Sequence, residues 1–471
     1  MTSHPPPTRL RSLRGYRLFV AAQFVNVSSV GMQRIVQDWL VLELTDSPAA
    51  VGVAVALQFF PLLLVGPAAG VLADRHDKRR IVRATTTLSA TLGLVLAVLA
   101  LTGTIEAWHL YAVAVLLGLV QAVDGPARQA LVSELVGDGS LRTAISTNNV
   151  VAQLAGMVAP AVGGVLIVVV GEGWTFALTA VLALAALALL AAIRSDDVRE
   201  PSRVARARGQ VREGLRYVAS HPTLGWLVVL AGCLGAFGMN GPVVLAAFAD
   251  EVWHTGSGGF GFYNSVAAVG AVGGIVLGAR LRALDARLVV LAAGAFGAVE
   301  IVAALMPVQW AFVVSIALVG AATMLFITSA ATLVQLLAPR EMRGRVLAIY
   351  SPVLLGGHAA GGLLAGQLTE HLGVRVGLVM VGLAAIASAV VVGVALARRG
   401  VLRLTAEAHA SATLAPSDAA RPSDAAAPSD VAGPAGAVIP ADAARPARPA
   451  SSGKPVADVA RGVDPQSPAS S

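Results

Sequence analysis

At 471 residues, 56% hydrophobic and only 13% charged, with a mean hydropathy of +0.75, the chain is too apolar for a soluble protein and belongs in a bilayer. Its net charge of +7 comes without any polar folded domain, so arginine-rich cytoplasmic loops explain it and a nucleic-acid partner is set aside. A single cysteine, Cys233, excludes an internal disulfide and a cysteine metal cluster.

Runs of about 20 apolar residues, the length that crosses roughly 30 Å of hydrocarbon, predict twelve spans. In chain order they are 17–40, 50–72, 81–101, 108–126, 144–170, 174–193, 224–248, 259–281, 288–306, 309–328, 346–368 and 374–396. Short links make hairpins of the third with the fourth and of the fifth with the sixth. The first run is long and polar-interrupted and has no small-residue cleavage site, so it reads as a retained helix rather than a signal peptide. The predicted organisation is a tail at 1–16, a six-helix half at 17–193, a basic linker at 194–223, a second half at 224–398 and an Ala/Pro/Ser-rich tail at 399–471 that cannot bury a core.

Alternate loops differ sharply in charge. One set holds Arg75, Lys78, Arg79, Arg80, Arg83, Arg128, Arg142, Arg280, Arg282, Arg287, Arg340, Arg343 and Arg345 with the whole linker, while the other holds only Arg375. The positive-inside rule therefore puts both termini in the cytoplasm. Shifting the first half by 202 positions lays Gly164 on Gly366 and aligns the fifth span with the eleventh, as expected of two halves related by duplication.

Glycines repeat every third span: "GPAAG" in the second, "GMVAPAVGG" in the fifth, "GAVGGIVLG" in the eighth and "GGHAAGGLLAG" in the eleventh. Small residues at i, i+4 let helix backbones approach closely. These four spans are the expected interface between the halves.

The stretch "GVLADRHDKRR", from Gly70 to Arg80, concentrates charge in one loop. It resembles the loop between the second and third helices of the major facilitator superfamily, with Asp77 where a second glycine is usual. Gly156, Pro160, Gly163 and Gly164 in the fifth span are similar to the helix motif of that superfamily's proton-coupled exporters, with Ala159 where glycine is usual. "QDWLVLELTDSP", "GPARQALVSELV" and "MRGRVLAIYS" look like the branch containing enterobactin exporters and related efflux proteins. The resemblance covers about 17–399. It implies an all-α membrane protein in which twelve transmembrane helices form two pseudo-symmetric halves, and it implies proton-coupled export by alternating access.

Within that reading the basic loop has a mechanical role. A carboxylate among guanidinium groups at a helix end can hold two halves in one state and release them in the other. Asp74 is the expected latch, paired with Arg75 or Lys78 and facing the start of the eleventh span. Asp124 is expected to accept from Lys78 or Arg128, and Arg79 and Arg80 complete the basic run.

Polar groups inside spans mark a pathway, because each is costly in hydrocarbon. Asn26, Ser29, Gln33 and Gln37 form one stripe on the first span, a central-cavity helix by the resemblance. Arg34 and Asp38, about 25 to 30 Å along that helix from Arg17 at 1.5 Å per residue, are expected near the outer surface as a gate, a proton site or an interfacial pair. Asn149 and Gln153 add to the fifth span, Asn240 beside a Gly241-Pro242 break to the seventh, and Asn264 to the eighth. Glu300 reads as structural or snorkelling. His358 is the one histidine near the middle of a span, where it suits either proton coupling or a buried neutral role.

No HExxH, GxSxG or GxxxxGK[ST] pattern occurs, so an enzyme or an ATP-driven pump is not expected. The expectation is a monomeric plasma-membrane antiporter for small hydrophobic or amphipathic molecules, with protons and lipid as its other partners and no cofactor or metal. Nutrient uptake and a non-transporting receptor are the competing readings.

Overall fold

The helix ends follow local chemistry. The computed structural model describes residues 13–136, 140–194, 197, 210–281, 284–339 and 342–399. Its first helix, α1 (Arg14–Thr45), closes on Asp46 in the left-handed region, and Ser47 then caps α2 (Pro48–Arg75) by accepting from Ala50 N–H, with Pro48 opening the first turn. Asp77 does the same for α3 (Lys78–Leu101), its carboxylate accepting from the N–H groups of Arg79 and Arg80. That is a physical use for the residue that replaces the usual glycine.

α4 (Ala107–Val136) continues through Pro126 for ten residues beyond the predicted end of its span, and this extension carries Arg128 and Glu134. α5 runs Leu141–Ala191 but turns sharply at Gly171, where φ is 81°. Glycine tolerates that angle without strain. The two arms on either side correspond to the fifth and sixth predicted spans.

In the predicted linker, α6 (Gln210–Ser220) is a short helix whose Glu213 accepts from Arg345 at 2.5 Å. The seventh predicted span is broken into α7 (Pro222–Gly238), α8 (Gly241–Ala247) and a π-helical turn Phe248–Val252. The helices α9 (Gly256–Arg280), α10 (Ala286–Leu305), α11 (Gln309–Leu337), α12 (Arg343–Leu372) and α13 (Val374–Arg398) complete the chain. The tail from 400 onward lies outside the described residues, as do Arg282 and Arg340.

Ten helical stretches among the described residues are long and apolar enough to cross a membrane, one of them being the kinked 49-residue Thr143–Ala191. Their outer faces are bare hydrocarbon: Leu64, Val169, Val269 and Leu291 are each about two-thirds exposed or more. Such a surface is stable only in lipid.

Packing within residues 14–193 pairs α1 with α5, α2 with α4, and α3 with the second arm of α5; packing within 222–398 pairs α7 with α12, α9 with α11, and α10 with α13. The two sets meet along α2 against α12 and α5 against α9. These are the spans that glycine periodicity marked as the interface, although the glycines in contact are partly different ones. On α2 it is Gly52 that meets α12, while nothing lies within 4 Å of a Cβ built on Gly66 of "GPAAG". In "GAVGGIVLG", Gly270 and Gly274 pack on Ala317 and Ala321 of α11, inside the same half. Four-residue glycine spacing reports a close helix approach but not which neighbour makes it.

The apolar core is distributed unevenly. At the end carrying Lys78, Arg79, Arg128 and Arg345, here the basic end, two separate clusters fill the two helix sets. At the far end one continuous cluster joins both sets. Within it Trp39 stacks on Phe260 at 5.6 Å and Phe248 on Phe312 at 4.5 Å between ring centres.

Candidate functional site

Between the two helix sets lies a cavity of about 600 Å³ whose wall comes from α1, α2, α4, α5, α12 and the break between α7 and α8. It extends from Gln23, Arg128 and Gln129 near the basic end to Arg34, Asp38 and His358 in the interior. A larger groove of about 1130 Å³ runs between the start of α1 and α5, but none of its lining residues has a buried polar atom without a partner. The smaller cavity has three: Gln121 Nε2, Asn148 Oδ1 and His358 Nδ1. Buried polar atoms are costly when unpaired, so the smaller cavity is the candidate site.

Arg34 and Asp38 belong to this interior and not to the outer surface. Asp38 is 3% exposed and accepts from Gln58 Nε2 at 2.9 Å, while Arg34 Nη2 donates to Gln121 Oε1 at 2.7 Å and its guanidinium lies 4.7 Å from the centre of the Phe59 ring. The two do not pair with each other; each is held by an amide from a neighbouring helix. Length along α1 misplaced them because the helix is 32 residues long and continues past both.

The polar stripe of α1 is also turned from its expected place. Asn26 lines the cavity, but Ser29 donates to Thr179 O at 2.8 Å and Gln37 to Leu110 O at 2.9 Å, and Gln33 is buried with its Nε2 unpaired. At 100° per residue, the face that meets the cavity is Gln23, Val30, Arg34 and Asp38, roughly a quarter turn away. On α5, Asn149, Gly156 and Pro160 line the cavity, whereas Gln153 is exposed and not part of its wall. Gly163 packs on Met32 and Gly164 on Gly261.

Asn240 is buried against α12, donating to Ala236 O at 2.6 Å, and its neighbours Met239 and Pro242 reach the cavity in its place. Asn264 donates to Phe260 O within its own helix. Glu300 is 7% exposed between α10 and α13, its Oε2 without a partner, so it does not snorkel. His358 lies edge-on to Phe59 with ring centres 4.3 Å apart.

At the basic end the charges form a network. Arg128 donates to Asp124, to Gln23 Oε1 at 3.1 Å and to Thr86 Oγ1 at 2.9 Å, and Thr85 donates to Asp124 at 2.6 Å. Asp124 thus takes Arg128, as expected. Lys78 instead pairs with Glu134 at 3.3 Å. Arg79 and Arg83 donate to the carbonyls of Ile193 and Leu190, at 2.5 and 3.0 Å, capping the second arm of α5. Arg80 is exposed beside Asp77 and Arg75 is exposed. These contacts all stay inside the first helix set. Gly70 is helical, and the side chain of Asp74 lies outside the described residues.

The far end is held shut across the two sets. A Cβ on Gly164 would sit 2.1 Å from Gly261 Cα, and one on Gly52 would sit 2.3 Å from Gly362 O. Glu370 of α12 accepts from the Ser47 hydroxyl and, at 3.0 Å, from Ala49 N–H at the start of α2, a favourable place for a carboxylate. Glu370→Gln is expected to weaken this closure by about 1–2 kcal/mol. Spin labels on the exposed Leu44 and Leu372 should then report a larger open fraction by pulsed dipolar spectroscopy; an unchanged distance distribution would leave the glycine contacts as sole fastener.

Several residues of the site carried a signal that span counting passed over. Gln58 and Gln121 are lone amides in otherwise apolar runs of α2 and α4, and Phe59 follows Gln58 directly. Glu134 lay beyond the predicted end of its span. Among the described residues, no group of three or more His, Cys, Asp or Glu is placed to hold a metal.

Comparison with known proteins agrees with this architecture. The family described as transmembrane secretion effectors matches residues 7–421. The chain is 26% identical over 370 residues to the enterobactin exporter EntS of Shigella flexneri, covering 76% of this chain and 86% of that protein. It is 27% identical over 373 residues to the enterobactin exporter EntS of an Escherichia coli O1:K1 strain, with the same coverage. Among solved structures, the D-xylose-proton symporter superposes with a TM-score of 0.64 at 14% identity, over 80% of this chain and 96% of that one. A bacterial homologue of the lysosomal transporter Spinster, inward-facing and unoccupied, does so with 0.63 at 15% identity, over 85% and 99%. At these identities the structures speak for the fold alone. With a lipid-facing apolar surface, two helix sets around a polar cavity and a family match over most of its length, the chain is a multi-pass membrane protein belonging to the transmembrane secretion effector family of major facilitator transporters.

Proposed function

We propose that the protein is a secondary active transporter of the plasma membrane that exports small hydrophobic or amphipathic molecules, siderophores, drugs or secondary metabolites, by alternating access driven by the proton gradient. One observation carries the reading: a largely apolar cavity with charged and amide side chains in its wall reaches inward from the basic end, and the far end is closed by backbone contact of α5 on α9 and α2 on α12. With the basic end oriented to the cytoplasm by its arginines, this is the state in which an exporter loads. Twelve spans result when the two arms of α5 are counted separately and α1 is added to the apolar helices. The repeated pairing of helices in the two sets supports two related halves, working as a monomer.

Asp38 and His358 are the ionisable groups of the cavity interior that can take up a proton. In this reading Asp74, with the network from Lys78 to Arg128, serves as the latch that engages when the basic end closes.

Proteoliposomes loaded with a pH-sensitive dye test this directly. Siderophores or lipophilic cations are expected to trigger proton movement in the wild type, and Asp74→Asn is expected to reach the membrane yet lose that movement by at least about tenfold, the equivalent of 1.4 kcal/mol on the conformational barrier. Wild-type flux in the variant would remove Asp74 from the mechanism. Folded protein that moves no protons with any compound would overturn proton-driven export.

A further inference from the structure

One point of the cavity wall is rich in hydrogen-bond donors. Arg34 Nη2 occupies the side-chain oxygen of Gln121 at 2.7 Å. The other end of that amide, Nε2, is buried and has no partner. An amide nitrogen carries two donors and a guanidinium five, against the one lone pair left on Gln121 Oε1, so donors outnumber acceptors at this corner. The nearest carboxylate on the same helix, Asp38, is one turn further on and accepts from Gln58 at 2.9 Å. Among the described residues no carboxylate lies at ion-pair distance from Arg34, which is half-buried and permanently charged.

Other charges of the wall are accounted for. Asp124 and Arg128, nearer the basic end, hold each other. Phe59 covers one side of the Arg34 guanidinium at 4.7 Å, and Val27, Val30, Val55, Met239 and Pro242 give the adjoining wall an apolar lining. A cation seeking Asp38 would have to approach within a turn of Arg34. An anion has its donors already in place.

We propose that the Arg34–Gln121 pair is the head-group subsite for an organic anion, the cargo being an amphipathic molecule with one carboxylate or phenolate oxygen on these donors and an apolar body along Val30, Phe59 and Met239. This narrows the class of substrate and rests on the reading of the chain as an exporter. Charge-assisted hydrogen bonds from a guanidinium held by Gln121 and Phe59 supply the selectivity.

Three probes with one body and different charge test it: 1-naphthoate, 1-naphthylmethylammonium and 1-naphthalenemethanol. Equilibrium dialysis against the full-length protein in nanodiscs, with empty nanodiscs subtracted, is expected to show naphthoate binding about tenfold tighter or more than either of the others. Arg34→Gln should remove that preference while leaving the alcohol within about twofold, and Gln121→Leu should weaken naphthoate about three- to tenfold without changing the order. Arg34→Lys retains the charge and should retain the order, which separates loss of the subsite from loss of fold. Tighter binding of the ammonium probe, equal binding of all three, no saturable naphthoate binding, or naphthoate binding unchanged by Arg34→Gln would each overturn the assignment. Liposome flux separates the two readings: naphthoate bound but no compound moved counts against export alone, and another compound moved with no naphthoate bound counts against the anion subsite alone.

Discussion

Replacing Gly164 with valine is expected to reduce transport sharply while leaving the protein in the membrane. A Cβ at this position would lie 2.1 Å from Gly261 Cα and 3.1 Å from its carbonyl carbon and nitrogen. These are backbone atoms of a helix and cannot rotate away, so α5 and α9 must separate. Overpacking of this kind costs about 1–3 kcal/mol even where side chains can adjust, and here the cost falls only on the state closed at the far end. A transporter that cycles needs both states within a few kcal/mol, so a shift of that size displaces the equilibrium by roughly five- to 150-fold. Spin labels on Leu44 and Leu372 should show the far end open, and flux should fall in proportion. Gly66→Val is the contrast: nothing lies within 4 Å of a Cβ there, and flux should stay near wild type. Normal flux in Gly164→Val would mean that the contact is dispensable.

The second large effect is on stability. Arg128 is buried with 5% of its side chain exposed and holds Asp124, Gln23 and Thr86 at once. Arg128→Met retains much of the side-chain volume but strips Asp124 of its cation, leaving it only the Thr85 hydroxyl. Removing one partner of a buried pair costs about 3–5 kcal/mol, whereas replacing both by apolar groups is often close to neutral. The single variant is therefore expected to melt well below the wild type in nanodiscs. Arg128→Met with Asp124→Leu should recover most of the difference. If the double variant melts as low as the single one, the loss comes from Gln23 and Thr86 rather than from a stranded carboxylate.

Both cases show how sequence and structure divide the information. "GMVAPAVGG" identified the fifth span as a close-packing helix, and the recurrence of such motifs pointed to the four helices that meet between the sets, though not to their pairing. Gly261 was invisible as the partner of Gly164, because it lies in "GFGFYNS", outside any repeated glycine pattern. Gly52 was missed for the same reason. Close approach depends on where two backbones cross, and crossing points are set by the whole bundle rather than by either helix.

Charged residues divide the same way. "GVLADRHDKRR" marked a concentration of charge, and Asp124 with Arg128 could be paired from i, i+4 spacing on one helix. Lys78 with Glu134 could not be, since the two are 56 positions apart and the partner lay past the expected end of α4. On α1 the polar stripe was legible but its direction was not. Ser29 and Gln37 satisfy α5 and α4 backbone carbonyls, which a helical wheel cannot distinguish from lining a cavity. Arg34 and Asp38 were noticed as a pair, yet their actual partners, Gln121 and Gln58, come from other helices.

By itself, then, the sequence determined residence in a membrane, the apolar character of its long helices and the resemblance to the major facilitator superfamily, because hydrocarbon thickness and the energetic cost of charge act on each segment separately. Only the tertiary structure decided which face of α1 meets the cavity, which glycines touch, that the far end is closed, and that Arg34 and Gln121 come together in the cavity wall. Those properties belong to pairs of helices distant in sequence, and they exist only once the bundle has set each helix's rotation and crossing point.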